Sequence, residues 1–290
     1  MPTCYGFIGY GQVGQHLARG MERAEGDRII AFDHGFRASP SPLADVARAD
    51  AVEVVTDPSG LSECDLVLSI VTPASAVAVA QDFASHARPG QTYVDFNSTA
   101  PDIKVEIGSI LASTGVTYLE GVMTGGGITI DRHRIPMTLS GPGAEGLAER
   151  LRAVGFVAEA IGEEVGQAAA MKMLRGVVIK GLEALVVEAM TAARARGIEE
   201  LVLRSLSESL DRVKIRDFIE MLVTTHTKHC GRRSIEVRMI KETVASSGIE
   251  PRMMTAAQTL FERSAAGLGP GGDEDVFADA IDALRPTAAE

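Results

Sequence analysis

Hydrophobic and polar positions in the first half of the chain alternate between two rhythms. Short runs rich in β-branched and aromatic residues read as strands at Thr3–Ile8, Arg28–Phe32, Val52–Val55, Leu66–Val71 and Thr92–Asp95. Segments of helical period fall between them at Gln12–Met21, Ala74–Ser85 and Ala100–Ser113. Pro73 opens the second of these helices; Pro101 lies in the first turn of the third, with Ser98 or Thr99 as its candidate cap. Strands alternating with helices predict a parallel sheet with both faces covered. Arg134–Ser140 and Phe156–Ile161 are expected to add edge strands, with a helix over Ala144–Val154 between them. After Ile161 the strand rhythm stops. The segment from Gly166 to Arg196 has no proline and is rich in helix formers, and Gly197 stands where a C-terminal cap belongs. A helix over all of it would be about 45 Å long at 1.5 Å rise per residue. Glu199–Leu284 reads as helices only, with turns at Ser247-Gly248 and Gly267–Gly272. The expected fold is therefore α/β: a Rossmann-type, mostly parallel sheet over residues 1–162, followed by an all-α domain over 163–290.

The length of 290 residues agrees with two domains. With 46% hydrophobic and 23% charged residues, the chain can build a sizeable core. Lys plus Arg is 28 against 39 Asp plus Glu, a formal net charge of −11. That balance opposes nucleic-acid binding and docking on an anionic membrane. No apolar run approaches the ~18 residues of a membrane span. The apolar N-terminal run is short, contains glycine and lacks a basic leader, so no signal peptide is expected. Cys4, Cys64 and Cys230 are odd in number and scattered, which supports neither a disulfide framework nor a zinc site. Reduced, buried thiols in a cytoplasmic protein are the expectation, with no resident metal.

Gly9-Tyr10-Gly11-Gln12-Val13-Gly14 is a G-x-G-x-x-G turn. It follows a predicted strand and opens a predicted helix. The first glycine serves a tight turn, the second lets backbone approach a pyrophosphate, and the third lets helix pack on strand. The free N–H groups and dipole of the helix then face the phosphates. Asp33 follows the second strand, 19 residues after Gly14. A carboxylate there accepts hydrogen bonds from ribose hydroxyls and repels a 2′-phosphate, which favours NAD. Arg37 keeps NADP open, because a guanidinium beside His34 could meet that phosphate.

The remaining motifs resemble the β-hydroxyacid dehydrogenase family, which includes 3-hydroxyisobutyrate, tartronate semialdehyde and 6-phosphogluconate enzymes. The resemblance runs from Gly6–Gly14 through Leu66–Pro73 and Asp95–Thr99 to Glu120–Gly126 and Gly166–Lys172. It implies that Val71, Thr72 and Pro73 lie beneath the cofactor and that Asn97 and Thr99 face the nicotinamide. In Glu120-Gly121-Val122-Met123-Thr124-Gly125-Gly126, it implies a substrate loop. Thr124, Gly125 and Gly126 would bind a substrate carboxylate, glycines letting backbone donors approach an anion. Val122 departs from the family's proline and Thr124 from its serine. Lys172 matches the family's catalytic lysine; an alkyl-rich setting would lower its proton affinity, as a base near neutral pH requires. Four residues later the family's asparagine is replaced by Gly176, and Arg175 shares a helix face with Lys172, where it could bind an anion. The stretch from Lys172 through Lys180 to Leu185 resembles a branch with a phosphogluconate-dehydrogenase-related C-terminal domain of uncertain role.

The resemblance implies an NAD(P)-dependent oxidoreductase moving hydride between the nicotinamide and a small hydroxy acid, with the hydroxyl β to the carboxylate. Whether decarboxylation follows is left open. Imine reduction on the same scaffold and a non-catalytic nucleotide-binding regulator are the alternatives. His226 and His229 lack the carboxylate of a metal motif. Arg232 or Arg233 is a candidate to reach a substrate anion, in its own chain or across a dimer interface. Apolar Leu182, Leu185, Val186 and Met190 lie on the long helix, and the family's habit of dimerising through its helical domain makes a homodimer the expectation.

Overall fold

The computed structural model describes residues 3–124, 134–268 and 276–285. The chain divides into two compact units, Met1–Gly176 and Val177–Glu290.

In the first unit, the described strands are β1 (Cys4–Ile8), β2 (Arg28–Phe32), β3 (Glu53–Val55), β4 (Leu66–Ser69), β5 (Thr92–Asp95), β6 (Thr117–Met123), β7 (Met137–Ser140) and β8 (Ala158–Gly162). They form one sheet in the order β3-β2-β1-β4-β5-β6-β7-β8. Neighbours run parallel except β6 with β7. Around the sheet are α1 (Gln12–Gly20), α2 (Pro42–Ala49), α3 (Ala76–Ala84), α4 (Pro101–Leu111) and α5 (Ala144–Ala153). Successive strand residues point to opposite faces, so each strand feeds two cores. Phe7, Leu68 and Val94 enter one core with Leu17 and Leu151; Ile8, Val67 and Tyr93 enter the other with Phe83 and Ile107. The strand order reverses between β1 and β4, and the crevice past their carboxyl ends is where a doubly wound sheet takes a ligand.

The structure corrects three local expectations. Glu120–Met123, expected in a loop, belongs to β6, with Asp95 opposite Glu120 in register. Glycine is required at 121, where a Cβ would meet the Phe96 ring at 2.4 Å. Neither Ser98 nor Thr99 caps α4: its N-cap is Ala100, which makes no side-chain bond to the helix. Pro73–Ser75 forms a separate 3-10 turn before α3, tied by Thr72 Oγ1 to Ser75 Oγ at 2.9 Å.

The long helix α6 (Gln167–Ala195) spans the division at residue 176. The second unit continues with α7 (Glu199–Leu210), α8 (Ile215–Ala245), α9 (Arg252–Leu268) and α10 (Phe277–Leu284). Its described residues contain helices and no strand, as expected. The turn expected at Gly267–Gly272 lies, from residue 269 onward, outside the described residues. The Glu188 carboxylate accepts the N–H groups of Met253 at 2.8 Å and Met254 at 3.1 Å, closing the first turn of α9. Gly197 ends α6 at φ +69°, where L side chains are strained. Beside it the Arg196 guanidinium donates to the Thr243 carbonyl and to the hydroxyls of Ser246 and Ser247 at the end of α8. Leu182, Val186, Leu201 and Leu206 on α6 and α7 remain exposed. Among the described residues no helix is long and apolar enough to cross a membrane.

Candidate nucleotide and proton-transfer site

A cleft of about 500 Å³ opens at the carboxyl ends of β1, β2 and β4. Gly9, Gly11, Gln12, Val13 and Gly14 line it, as do Asp33, His34, Val71 and Thr72. The three glycines differ physically. Gly9 sits at φ +95°, and a Cβ there would strike the Ile70 carbonyl oxygen at 2.3 Å. A Cβ on Gly14 would meet the Gly9 carbonyl oxygen at 2.5 Å. At Gly11 a Cβ would meet nothing within 4 Å. Since Gly11 borders the cleft, its bareness serves whatever enters. Gly11 is also the N-cap of α1 and offers no side chain, so the free N–H groups of the first turn and the helix dipole are available to an anion. These features fit a dinucleotide pyrophosphate.

Asp33 lines the cleft and shapes it. Its Oδ2 accepts the Tyr10 N–H and its Oδ1 the Gly35 N–H, both at 2.8 Å. Each oxygen retains capacity for a second hydrogen bond, as a ribose hydroxyl would require. Tyr10 itself points away from the cleft: its ring is wholly buried and its hydroxyl donates to Asp50 Oδ2 at 2.9 Å. Arg37 is drawn aside, donating from Nε to the Thr56 carbonyl and lying over the Phe32 ring at 5.3 Å.

Val71 is fixed from below. Its N–H donates to Asn97 Oδ1 at 2.6 Å, and Asn97 Nδ2 donates to Ser69 Oγ at 3.0 Å. The Asn97 amide thus braces the loop beneath the cleft. Thr72 and Pro73 are exposed at that rim. Thr99 is buried, and its Oγ1 has no hydrogen-bond partner. Ser98, between them, accepts a bond from Lys172 Nζ at 2.7 Å. Burial first, then the positive charges of Lys104 and Arg175, push the Lys172 ammonium below the ordinary lysine range. Arg175 is exposed, and Gly176 has open space around it. Thr124 is half-buried, with its N–H on the Pro136 carbonyl at 3.0 Å. Gly125 and Gly126 lie outside the described residues.

Two buried acids stand behind this array. Asp95 Oδ1 accepts the Asn97 N–H at 2.8 Å and lies 3.1 Å from the Lys104 ammonium; both side chains are fully buried. Glu120 Oε1 takes hydrogen bonds from Gly166, Ala168 and Ala169 N–H at 2.8, 3.0 and 3.2 Å and from Ser140 Oγ at 2.7 Å. That carboxylate caps the helix carrying Lys172. Sequence reasoning missed Ser98 and Glu120 in these roles. The available signal for Glu120 was an acid inside an apolar run, together with a helix start, Gly166-Gln167-Ala168-Ala169, lacking a capping side chain of its own.

In the second unit His226 packs edge-on to Phe261 at 4.6 Å between ring centres, while His229 is exposed. Arg232 pairs with Glu236, Arg233 donates to Thr225 Oγ1 at 3.1 Å, and Lys180 pairs with Glu183 at 2.7 Å. Among the described residues no group of three or more His, Cys, Asp or Glu could hold a metal ion. The thiols of Cys4, Cys64 and Cys230 are free and buried.

Fold and cleft together define a protein that binds a nicotinamide dinucleotide. Residues 4–164 match the model for the NAD binding domain of 6-phosphogluconate dehydrogenase, and the chain belongs to that family. Residues 193–264 match a domain of unknown function, DUF1932. A conserved hypothetical protein from Sinorhizobium meliloti 1021 is 31% identical, covering 98% of this chain and 96% of its own at a TM-score of 0.64. A conserved protein of unknown function, described as structurally similar to 3-hydroxyacid dehydrogenases, is 27% identical over 98% of this chain and 100% of its own, with a TM-score of 0.61. A variant of the imine reductase from Myxococcus stipitatus, in complex with NAD+, shares the fold at 18% identity over 98% and 100% of the two chains, with a TM-score of 0.74. The chain is thus a nicotinamide-dinucleotide-binding member of the 6-phosphogluconate dehydrogenase NAD-binding family, with a fold that imine reductases share.

Proposed function

We propose that this protein transfers hydride between NAD(P) and a small hydroxy acid with its hydroxyl β to the carboxylate, and that Lys172 carries the proton. One observation bears most of the weight. The Lys172 amine is held by Ser98, the residue next to the asparagine that braces the cofactor loop. A proton carrier and a cofactor seat are thereby joined through two consecutive residues.

In this reading Gly9, Gly11 and Gly14 admit the pyrophosphate, and Asp33 takes the ribose hydroxyls, favouring NAD over NADP. Bound nicotinamide accepts or supplies the hydride. Thr124, Gly125 and Gly126 hold the substrate carboxylate, with Arg175 as a second anion contact. In oxidation the neutral Lys172 amine takes the hydroxyl proton as hydride leaves the carbon. In reduction the ammonium returns that proton to the carbonyl oxygen. Oxidation therefore speeds up as pH rises through the depressed Lys172 value, and reduction slows over the same range.

The absence of the family asparagine at Gly176 favours imine reduction as a second reading, with Lys172 protonating the imine nitrogen. A regulator without turnover would have no use for a desolvated lysine beside the cofactor loop. The exposed apolar residues of α6, Leu182 and Val186 among them, support assembly as a homodimer with an interface of roughly 2,000 Å² or more.

The deciding experiment screens hydroxy acids, carbonyl acids and imines with both cofactors on the wild type and on Lys172→Ala. Cofactor binding should be retained and turnover should fall by ~10² or more, the usual scale of general acid–base catalysis. Near-normal kcat in the variant, with chemistry rate-limiting, would overturn the assignment.

A further inference from the structure

Lys104 is a lysine with no exposed surface, on the first turns of α4 and outside the chemistry proposed above. Burying a charge pair is costly, and apolar residues of similar volume often serve stability as well or better. The surroundings of this pair indicate what it is for. Lys104 Nζ donates to the Asp95 carbonyl at 2.8 Å and faces Asp95 Oδ1 at 3.1 Å. The same Oδ1 accepts the Asn97 N–H. One carboxylate oxygen therefore ties the buried ammonium to the turn whose next residue, Ser98, holds Lys172.

We propose that Lys104 is a positioning residue for Lys172: anchored on Asp95, it stiffens the Asn97-Ser98 turn and sets a positive charge, held by Asp95, behind the reactive amine. This rests on the reading of Lys172 as the proton carrier. The groups acting on the Lys172 amine are Ser98 after β5, Lys104 on α4 and Arg175 on its own helix. Burial pushes the Lys104 ammonium itself below the ordinary lysine range, and Asp95 on β5 and Glu120 on β6 act against that to keep it charged. Arg175 is exposed, so solvent screens its charge, whereas Lys104 is dry. After burial itself, Lys104 is therefore the larger and the drier of the two cations that push the Lys172 ammonium down.

The test needs no substrate. Competitive acetylation with acetic anhydride across a pH series, read at the Lys172 peptide by mass spectrometry, reports when that amine loses its proton. Exposed Lys180 in the same digest is the reference. In Lys104→Met the Lys172 midpoint should move to higher pH, and its labelling rate at a fixed pH below the midpoint should fall roughly tenfold. Because Lys104→Met strands Asp95, the joint variant Lys104→Met with Asp95→Asn is measured as well; it should shift in the same direction while retaining bound cofactor. Lys104→Arg should keep the wild-type midpoint. An unchanged Lys172 midpoint in a cofactor-binding variant without the Lys104 charge would overturn the proposal and reduce Lys104 to a counterion for Asp95. A shifted midpoint in a protein that turns over no carbonyl or imine supports the role of Lys104 and overturns only the hydride reading.

Discussion

Each unit of the molecule closes a helix with a glutamate borrowed from another element, and the two glutamates sit in different surroundings. In the first unit Glu120, fully buried on β6, collects three backbone N–H groups and a serine hydroxyl at the start of α6. In the second, half-buried Glu188 on α6 takes two N–H groups at the start of α9. Water can replace part of what Glu188 does; nothing can replace Glu120 in a dry interior. The contrast extends to each unit. The sheet buries apolar side chains on both faces, whereas α6 and α7 leave a row of leucines and valines in solvent. Both units expose some large apolar side chains, and the second exposes many more of them than the first.

The sharpest way to break this contrast is to remove both carboxylates in turn. Glu120→Ala should cost about 3–5 kcal/mol, since several buried donors lose their acceptor at once. Denaturant unfolding followed by circular dichroism measures it, and a cost under about 1 kcal/mol would refute the dry-cap account. On the apolar side, Leu182→Glu combined with Val186→Glu should weaken self-association roughly hundredfold, near 3 kcal/mol of lost apolar burial. Light scattering at micromolar concentration should then give the mass of one chain for the variant and twice that for the wild type; a single-chain mass for both would rule out the dimer. Glu188→Ala should cost only about 1 kcal/mol, the ordinary value of a helix cap. The smallest effect concerns His226. Burial, then the charge of Arg233, hold it below the ordinary histidine value. The unfolded chain therefore binds the extra proton first as pH falls. Stability is fully present above the unfolded value of 6.5 and is lost as pH falls toward the depressed folded value. His226→Phe should flatten that slope in melting curves taken between pH 7 and 5, and an unchanged slope would remove His226 as its source.

Much of the first unit is legible along the chain because its signals are local. Arg28–Phe32 and Thr92–Asp95 are strands with the bounds their residue pattern predicts, and the glycine turn requires only consecutive positions. β6 escapes because Glu120 and Gly121 interrupt its apolar run, and the reasons for both lie elsewhere: Gly166–Ala169 for the acid and the Phe96 ring for the glycine. α2 (Pro42–Ala49) escapes although its signals are local: Leu43, Ala44, Val46 and Ala47 share one face, Pro42 stands in the first turn, and Ser41 caps it by accepting the Ala44 N–H at 3.1 Å. The array around Lys172 is the least legible part. Ser98 and Lys172 are 74 residues apart, and Glu120 and Ala168 are 48 apart, so no spacing reveals either contact. Asn97 and Thr99 illustrate the same limit: their positions near the cofactor loop follow from the resemblance, but that Asn97 turns its amide onto Val71 and Ser69 needed coordinates.

The Glu120 clamp also bears on which part of the chain can vary. Its anchor lies in the body of β6, ahead of Thr124 and the glycines that follow, so the stretch read as contacting substrate comes after the residue that seats the lysine. Val122, buried in one cluster with Ala168 and Ala169 of α6, belongs with the clamp, whereas Thr124 follows the end of β6. The arrangement separates a fixed seat from the chain that leaves it; with Thr124 and the glycines holding substrate as proposed, the segment after Met123 is the first place to randomise when new substrates are sought.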